Sequence, residues 1–387
     1  MLRRLRLLVV AAVAGALTGV VSWTFLEALA TVTRWRVDHG WLVWCLPLAG
    51  MTVAGCYHRW GGHAKGGTPY VVEQANVLTH GVPARMLPFI WSGSVLGHLT
   101  GASVGREGAA LQMAGSITDT TARIGRLDDD ERRTLVSAAL AAGWGGVFGV
   151  PFTGVAFALQ MRRSHRLRIL VPSTIAAVTA RAVVGTFDPD FGVRPRLSDV
   201  DWTLGLPVAL LAVGLSTGLA ARLFVRSLHH VRSIVGHRVR HQALRPLVGA
   251  ALTLALVSVV GREHLGLSTT LTDTAFTGGG ADWWDPLLKM VLTVAALGTG
   301  FVGGEVLPLF VIGGTLGAAL APTVAAPSIL LATTASVAAF SSAAGVVLTG
   351  LVLTVEQFGW NSLGPAIVVG IGARIAAGRP GLYATHH

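Results

Sequence analysis

The stretch Val104-Gly105-Arg106-Glu107-Gly108 runs on into Ala109-Ala110-Leu111-Gln112-Met113-Ala114-Gly115-Ser116-Ile117, and its reading decides the fold. An acid and a base stand side by side in apolar surroundings, bracketed by Gly105 and Gly108. A small-residue, apolar helix pattern follows. That puts a carboxylate at, or just before, a helix N-terminus at membrane depth. Unpaired backbone N–H groups and the positive end of the helix dipole collect there, and both favour anions. Glu107 is itself an anion, tethered where a free anion would sit. Taking a proton ends that competition, so anion occupancy becomes linked to protonation. The plain alternative is that Glu107 only caps the helix or pairs with Arg106. Acids inside membranes are functional by default, which favours the first reading.

Composition supports membrane depth. The 387 residues are 52% hydrophobic and 13% charged, where an ordinary soluble domain carries roughly 25% charged residues. With a mean hydropathy of +0.62, the chain reads as an all-α, polytopic membrane protein. Its 49 glycines suit helices that must approach closely in lipid. The net charge of +11 does not indicate nucleic acid. The basic residues fall in short clusters between apolar runs, as the positive-inside rule requires. Cys45 and Cys56 lie in an apolar stretch and read as buried, inert thiols, with no disulfide framework and no metal motif.

Along the chain, Met1-Leu2-Arg3-Arg4-Leu5-Arg6 precedes the apolar run Leu7–Val32, which is long and has no small-residue cleavage site. It reads as a retained first helix with a cytoplasmic N-terminus. Trp41–Gly55 is a second apolar run. His58 to Tyr70 is a Gly-rich connection with loop histidines, and Glu73 stands at the start of a helix-like segment. Asp128-Asp129-Asp130-Glu131-Arg132-Arg133 opens a further helix, acids first. Thr134–Met161 is apolar and interrupted at Gly149-Val150-Pro151, and Arg162 to Arg168 is a basic, cytoplasmic signal. Leu170–Phe187 and Leu204–Val225 are apolar, with a polar, external loop at Asp188–Pro195 between them. Arg226 to Arg245 reads as a second cytoplasmic linker. Pro246–Val260 and Leu287–Val302 follow, then Leu307–Ala377, broken by Pro322, Pro327 and Pro365. Several segments are too short or interrupted for simple spans of about 20 residues. Broken helices are tolerated in a membrane where their backbone lines a buried site.

An internal repeat points the same way. Val104 to Gly115 can be laid on Val302-Gly303-Gly304-Glu305-Val306-Leu307-Pro308-Leu309-Phe310-Val311-Ile312-Gly313 at an offset of 302 − 104 = 198, so Glu107 falls on Glu305. Gly149 to Gln160 lies on Gly345 to Glu356 at an offset of 345 − 149 = 196. Two ordered matches at nearly one offset, with coincident acids, read as a duplication. The halves are approximately 1–200 and 201–387 of a single transmembrane transport domain, with no soluble domain after Tyr383. Transporters built of such halves carry their site at the interface, with broken-helix ends aimed at the substrate. Three elements therefore stand to meet at one anion site: the helix starts at Glu107 and Glu305, and the Gly66-Gly67 turn. Near the C-terminus, Tyr383 offers a phenol that can donate to an anion without carrying charge.

These residues resemble the CLC chloride channels and anion/proton antiporters, from about Lys65 to Tyr383. Gly105-Arg106-Glu107-Gly108 resembles that family's gating-glutamate motif, and Gly304-Glu305-Val306-Leu307-Pro308 its second anion-binding motif. Gly149-Val150-Pro151-Phe152-Thr153-Gly154 and Leu348-Thr349-Gly350 are similar to its paired helices, and Leu382-Tyr383 to its pore tyrosine. The resemblance implies a CLC-type fold of two inverted-repeat halves with broken, tilted helices. It implies a homodimer in the inner or plasma membrane with both termini cytoplasmic, no cofactor, and Glu107 as gate and proton acceptor. The implied anion contacts are Gly66, Gly67, Arg106, Gly108, Glu305, Val306, Leu307 and Tyr383.

The departures narrow the reading. Gly67 stands where chloride-type members carry a serine, and Ala109 where their gating motif ends in Pro. Val306 replaces a Phe, with Glu305 opening the motif. This is similar to the fluoride/proton antiporter branch, although Leu307 stands where that branch carries Thr. Gln160 occupies a position where many relatives have an inner glutamate. Fluoride fits the chemistry: it is small, strongly hydrated and basic, so stripping its water needs strong donors such as a protonated carboxyl. The expected function is therefore exchange of fluoride for protons, with fluoride exported. A chloride channel or chloride/proton antiporter of the same family is the alternative. An intramembrane enzyme is disfavoured, because neither a His-Glu-x-x-His motif nor a Ser/His pair is present.

Overall fold

The structure is a computed structural model that describes residues 2–187, 191–378 and 381–382. Among these residues the α-helices run in two successive sets of eight. The first is α1 (Leu2–Asp38), α2 (Leu46–Trp60), α3 (Gly67–Asn76), α4 (Met86–Thr100), α5 (Glu107–Ile124), α6 (Asp129–Phe148), α7 (Pro151–Met161) and α8 (Leu170–Gly185). The second repeats that order of long and short: α9 (Leu206–Arg238), α10 (Arg245–Val260), α11 (Thr269–Phe276), α12 (Asp285–Thr299), α13 (Val306–Val324), α14 (Ser328–Ala344), α15 (Val347–Phe358) and α16 (Leu363–Ala377). Among the described residues six segments are long and apolar enough to cross a membrane, including α1, α9 and α13. At 1.5 Å per residue the 37 residues of α1 exceed a bilayer core of about 30 Å, so that helix must tilt or protrude.

Small residues set the packing in both halves. In α1, Gly15 lies against α8 so closely that a Cβ there would stand 2.5 Å from the Ala176 carbonyl oxygen, and Gly19 repeats the contact one turn on at Ala180. In α9, Gly214 and Gly218 lie in the same way against Val369 and Ala373 of α16. With no hydrophobic force between helices in lipid, such backbone approach is what gives the pairs their dispersion energy. The two pairs correspond at nearly one offset (214 − 15 = 199), so the duplication seen around Glu107 extends into the long outer helices.

Local chemistry fixes the helix ends. Asp128 accepts from the Glu131 N–H at 2.9 Å while the Glu131 carboxylate accepts from the Asp128 N–H at 3.1 Å, a reciprocal cap that starts α6. Arg3 and Arg6 of α1 reach Asp128 and Glu131 at 3.2 and 3.1 Å, tying the N-terminus to that turn. At the other end of α6, Gly149 turns the chain with φ +67°, and Pro151 opens α7 where its missing N–H costs nothing.

Several sequence expectations need correction. The basic stretch from Arg226 is not a linker: α9 continues to Arg238, and only a short connection precedes Arg245. Pro322 lies within the last turn of α13 and does not break it, and Pro365 sits at the third position of α16, where no intrahelical N–H bond is due. Glu73 is near the end of α3, not its start, and His58 belongs to the last turn of α2. Cys45 and Cys56 are free but only half-buried.

Candidate functional site

The two short connections before α5 and α13 cross in the middle of the molecule. Gly105 and Gly304 form an antiparallel bridge and exchange both N–H···O=C bonds at 2.7 Å. The crossing tolerates no side chains. A Cβ on Gly304 would stand 2.5 Å from the Gly108 nitrogen and 2.8 Å from a Glu107 carboxylate oxygen, and one on Gly108 would stand 2.9 Å from the Gly303 carbonyl oxygen. The starts of α5 and α13 are thereby pressed together, and both helices direct unpaired N–H groups at one point.

Glu107 occupies that point. Its side chain is buried, and among the described residues neither carboxylate oxygen accepts a hydrogen bond of good geometry. The N–H groups of Glu107, Arg106 and Leu307 face it. A buried acceptor set among donors that do not quite close on it can be released at small cost. Arg106 does not point the same way: its guanidinium lies 5.7 Å from the centre of the Phe148 ring.

Two chambers flank the crossing, and Glu107 lines neither. The wider, of about 360 Å³, is lined by Gly66, Gly67, Thr68, Gln112, Arg232 and Glu305, among others. The narrower, of about 40 Å³, is bordered by Arg106, Phe148, Arg194, Leu307 and Phe310. The residues expected at a single anion site are thus divided. Gly66, Gly67 and Glu305 face one chamber, Arg106 and Leu307 the other, and Gly108 and Val306 are packed into the crossing. Gly67 has φ +58°, which lets α3 start with its backbone against the wide chamber. Glu305 accepts from Arg232 at 3.4 Å. That is a carboxylate's role, so donation to an anion requires a proton on Glu305 and release of Arg232. Tyr383 lies outside the described residues, while Leu382 before it lines the wide chamber.

A family profile described as voltage gated chloride channel matches residues 49–378. The chain belongs to the CLC family. It is accordingly an integral membrane anion transporter, and its two sets of eight helices are the inverted halves of the CLC fold. It is 35% identical to a chloride/fluoride channel protein of Pseudomonas syringae pv. tomato, across 97% of this chain and 85% of that one. It is 27% identical to an H(+)/Cl(-) exchange transporter of Cronobacter sakazakii, across 98% and 89%. A solved CLC-type fluoride/proton antiporter superposes with a TM-score of 0.90 at 30% identity, covering 95% of this chain and 94% of that one. A slow cyanobacterial Cl-/H+ antiporter shares the fold, with a TM-score of 0.81 at 21% identity over 96% and 94%.

Three features of this CLC chain escaped the sequence reading. Thr68 donates to the Gly108 carbonyl at 3.3 Å and accepts from the Gln112 amide at 3.4 Å, so α3 is pinned to the first turns of α5 beside the wide chamber. Thr68 is the one hydroxyl in Gly66-Gly67-Thr68-Pro69, which was the available signal. The second feature concerns Gln160, which accepts from the Thr349 N–H at 2.7 Å and its hydroxyl at 2.6 Å. Glu356 does the same for Thr153, at 2.8 and 2.7 Å. The C-terminal end of each helix caps the start of the other, so α7 and α15 are antiparallel and two-fold related. The repeat could have found this, since 356 − 160 and 349 − 153 are both 196. Gln160 is therefore committed to a cap. Gln160→Leu leaves two buried donors unpaired and should lower stability by about 1–3 kcal/mol, read as a lower Tm in detergent. Gln160→Glu, which accepts equally well, should keep the wild-type Tm. The third feature, a fully buried Lys289, is taken up below.

Proposed function

We propose that this CLC transporter exchanges fluoride for protons and thereby exports fluoride, with Glu107 as gate. The observation that carries the reading is the position of the Glu107 carboxylate, enclosed at the joined N-termini of α5 and α13 between two chambers. A carboxylate there mimics a bound anion. Protonation removes its charge and its claim on the N–H groups of Glu107 and Leu307. An anion from the wide chamber then takes the place, and the neutral side chain swings aside with its proton. Return of the carboxylate releases the proton on one side and the anion on the other. One group thus serves both transported species in turn, which is the requirement for coupling.

Fluoride is favoured over chloride by the acid lining. Glu305 faces the wide chamber and, once protonated, offers the strong O–H donor that a hydrated, basic halide needs. The Lys65, Arg232 and Arg245 that line the same chamber raise the local anion concentration and support a cytoplasmic location for it. Gly66, Gly67 and Gly108 bring backbone close to the path, Val306 and Leu307 offer N–H groups, Arg106 attracts anions at the narrow chamber, and Tyr383 completes the set as a neutral donor. A homodimer with one path per subunit, and cytoplasmic termini, belong to the same reading.

Proteoliposomes loaded with fluoride or chloride test it. Fluoride efflux should exceed chloride efflux by at least about tenfold, a difference of 1.4 kcal/mol. Glu305→Gln should slow fluoride more than Tyr383→Phe. Equal fluxes of the two halides would mean a chloride-type transporter whose motif departures do not set selectivity.

A further inference from the structure

Lys289 is fully buried in α12, in a segment whose sequence otherwise reads as a plain apolar run. Its Nζ meets three acceptors: the His264 carbonyl at 3.3 Å, the Gly266 carbonyl at 2.7 Å and the Ser268 hydroxyl oxygen at 2.9 Å. Ser268 spends its own proton on the Leu265 carbonyl at 3.3 Å, so its oxygen is an acceptor towards Lys289. Three acceptors require three N–H donors. An ammonium has three, whereas a neutral amine has two and would set its lone pair against an oxygen. The partner set thus fits a charged Lys289, although none of the three partners carries charge.

A cation in a membrane interior calls for an anion. Asp285, one turn earlier on α12, is engaged by His264 Nε2 at 2.8 Å and by the Asp282 N–H at 2.9 Å. The elements around Lys289 add positive or neutral groups. Arg36 of α1 donates to the His98 carbonyl at 2.6 Å, and the His98 ring of α4 meets the Ser94 carbonyl at 2.7 Å. Among the described residues, the carboxylate on the segment hydrogen-bonded to α12 beside Lys289 is Glu107. A hydrogen bond holds that arrangement: Thr293, one turn beyond Lys289, meets Ser103, four residues before Glu107, at 2.9 Å.

We infer that Lys289 is the fixed counter-charge of the central site, holding Glu107 as a carboxylate in the closed state and serving the anion that replaces it in the open one. The inference rests on the reading of Glu107 as the gate. Lys289 touches neither proton nor anion; it acts through the field it sets at the crossing, with Arg36 adding to it. Because the charge is anchored by three neutral acceptors, it stays in place while the gate moves.

Lys289→Met in the full chain, reconstituted in proteoliposomes, tests this. Without the cation Glu107 binds its proton more readily, so the proton-dependent limb of anion flux should move to higher pH by about one unit. The KM for the carried anion should rise as well. In Glu107→Gln the shift of the limb should vanish while the rise in KM remains. Lys289→Arg should keep the wild-type limb. If Lys289→Met does not fold, Lys289→Gln keeps donors without charge and should show the same shift. A folded, neutral variant with an unmoved limb would overturn the inference. The readout uses whichever halide is carried, so it stands apart from fluoride selectivity. Proton coupling that survives in Glu107→Gln would instead sink the gate itself.

Discussion

Glu107→Gln should carry anions without carrying protons. The carboxamide has nearly the shape of the carboxylate and fits the same enclosed place against Gly105 and Gly304. It has no charge with which to compete for the N–H groups of Glu107 and Leu307, and no proton to exchange. Anion flux should therefore persist and lose its pH dependence. Proton flux should fall by about 100-fold or more, the range a positioned proton-transferring side chain commands. Parallel recordings of halide and proton movement from the same vesicles check this. A variant that still moved protons in fixed ratio to anions would show that the proton route lies elsewhere. Gln160, committed to capping α15, is not an alternative carrier.

Gly304→Ala should disable transport without removing any titratable group. The added Cβ would stand 2.5 Å from the Gly108 nitrogen and 2.8 Å from a Glu107 oxygen, both belonging to the crossing itself. Overpacking of this kind costs about 1–3 kcal/mol. Here the strain falls on the joined helix starts, so flux should drop by about 10- to 100-fold, at roughly tenfold per 1.4 kcal/mol. Gly370→Ala is the control. Nothing lies within 4 Å of a Cβ at that helical position, and flux should be unchanged. Wild-type flux in Gly304→Ala would mean that the crossing yields, and that the enclosure of Glu107 is not what gates the path.

Much of this was legible in the sequence for physical reasons. Low charge and abundant glycine forced a membrane reading, and the coincidence of Glu107 with Glu305 exposed the repeat. What composition hides is which polar residues lie inside. Lys289 sits among Leu287, Leu288, Met290 and Val291, and nothing in that run says that carbonyls from a distant loop will surround it. Arg232 read as part of a linker because arginine marks membrane exits. Yet arginine is also a good helix former, and α9 carries it on to face Glu305. Leu307 shows the limit of motif reading. Its backbone faces Glu107 with the rest of the helix start, and the same residue also borders the narrow chamber, two facts that a motif match does not separate.

Uphill transport is the most direct test of the central claim that one carboxylate couples anion to proton. Vesicles holding the wild-type protein, loaded with fluoride and diluted into fluoride-free medium at equal pH, start with no proton gradient. If Glu107 alternates between anion plug and proton carrier, fluoride leaving must draw protons inward. The medium should then turn alkaline, and Glu107→Gln should abolish that drift while fluoride still leaves. Fluoride efflux from wild-type vesicles with no movement of protons, the membrane potential being clamped, would contradict the account.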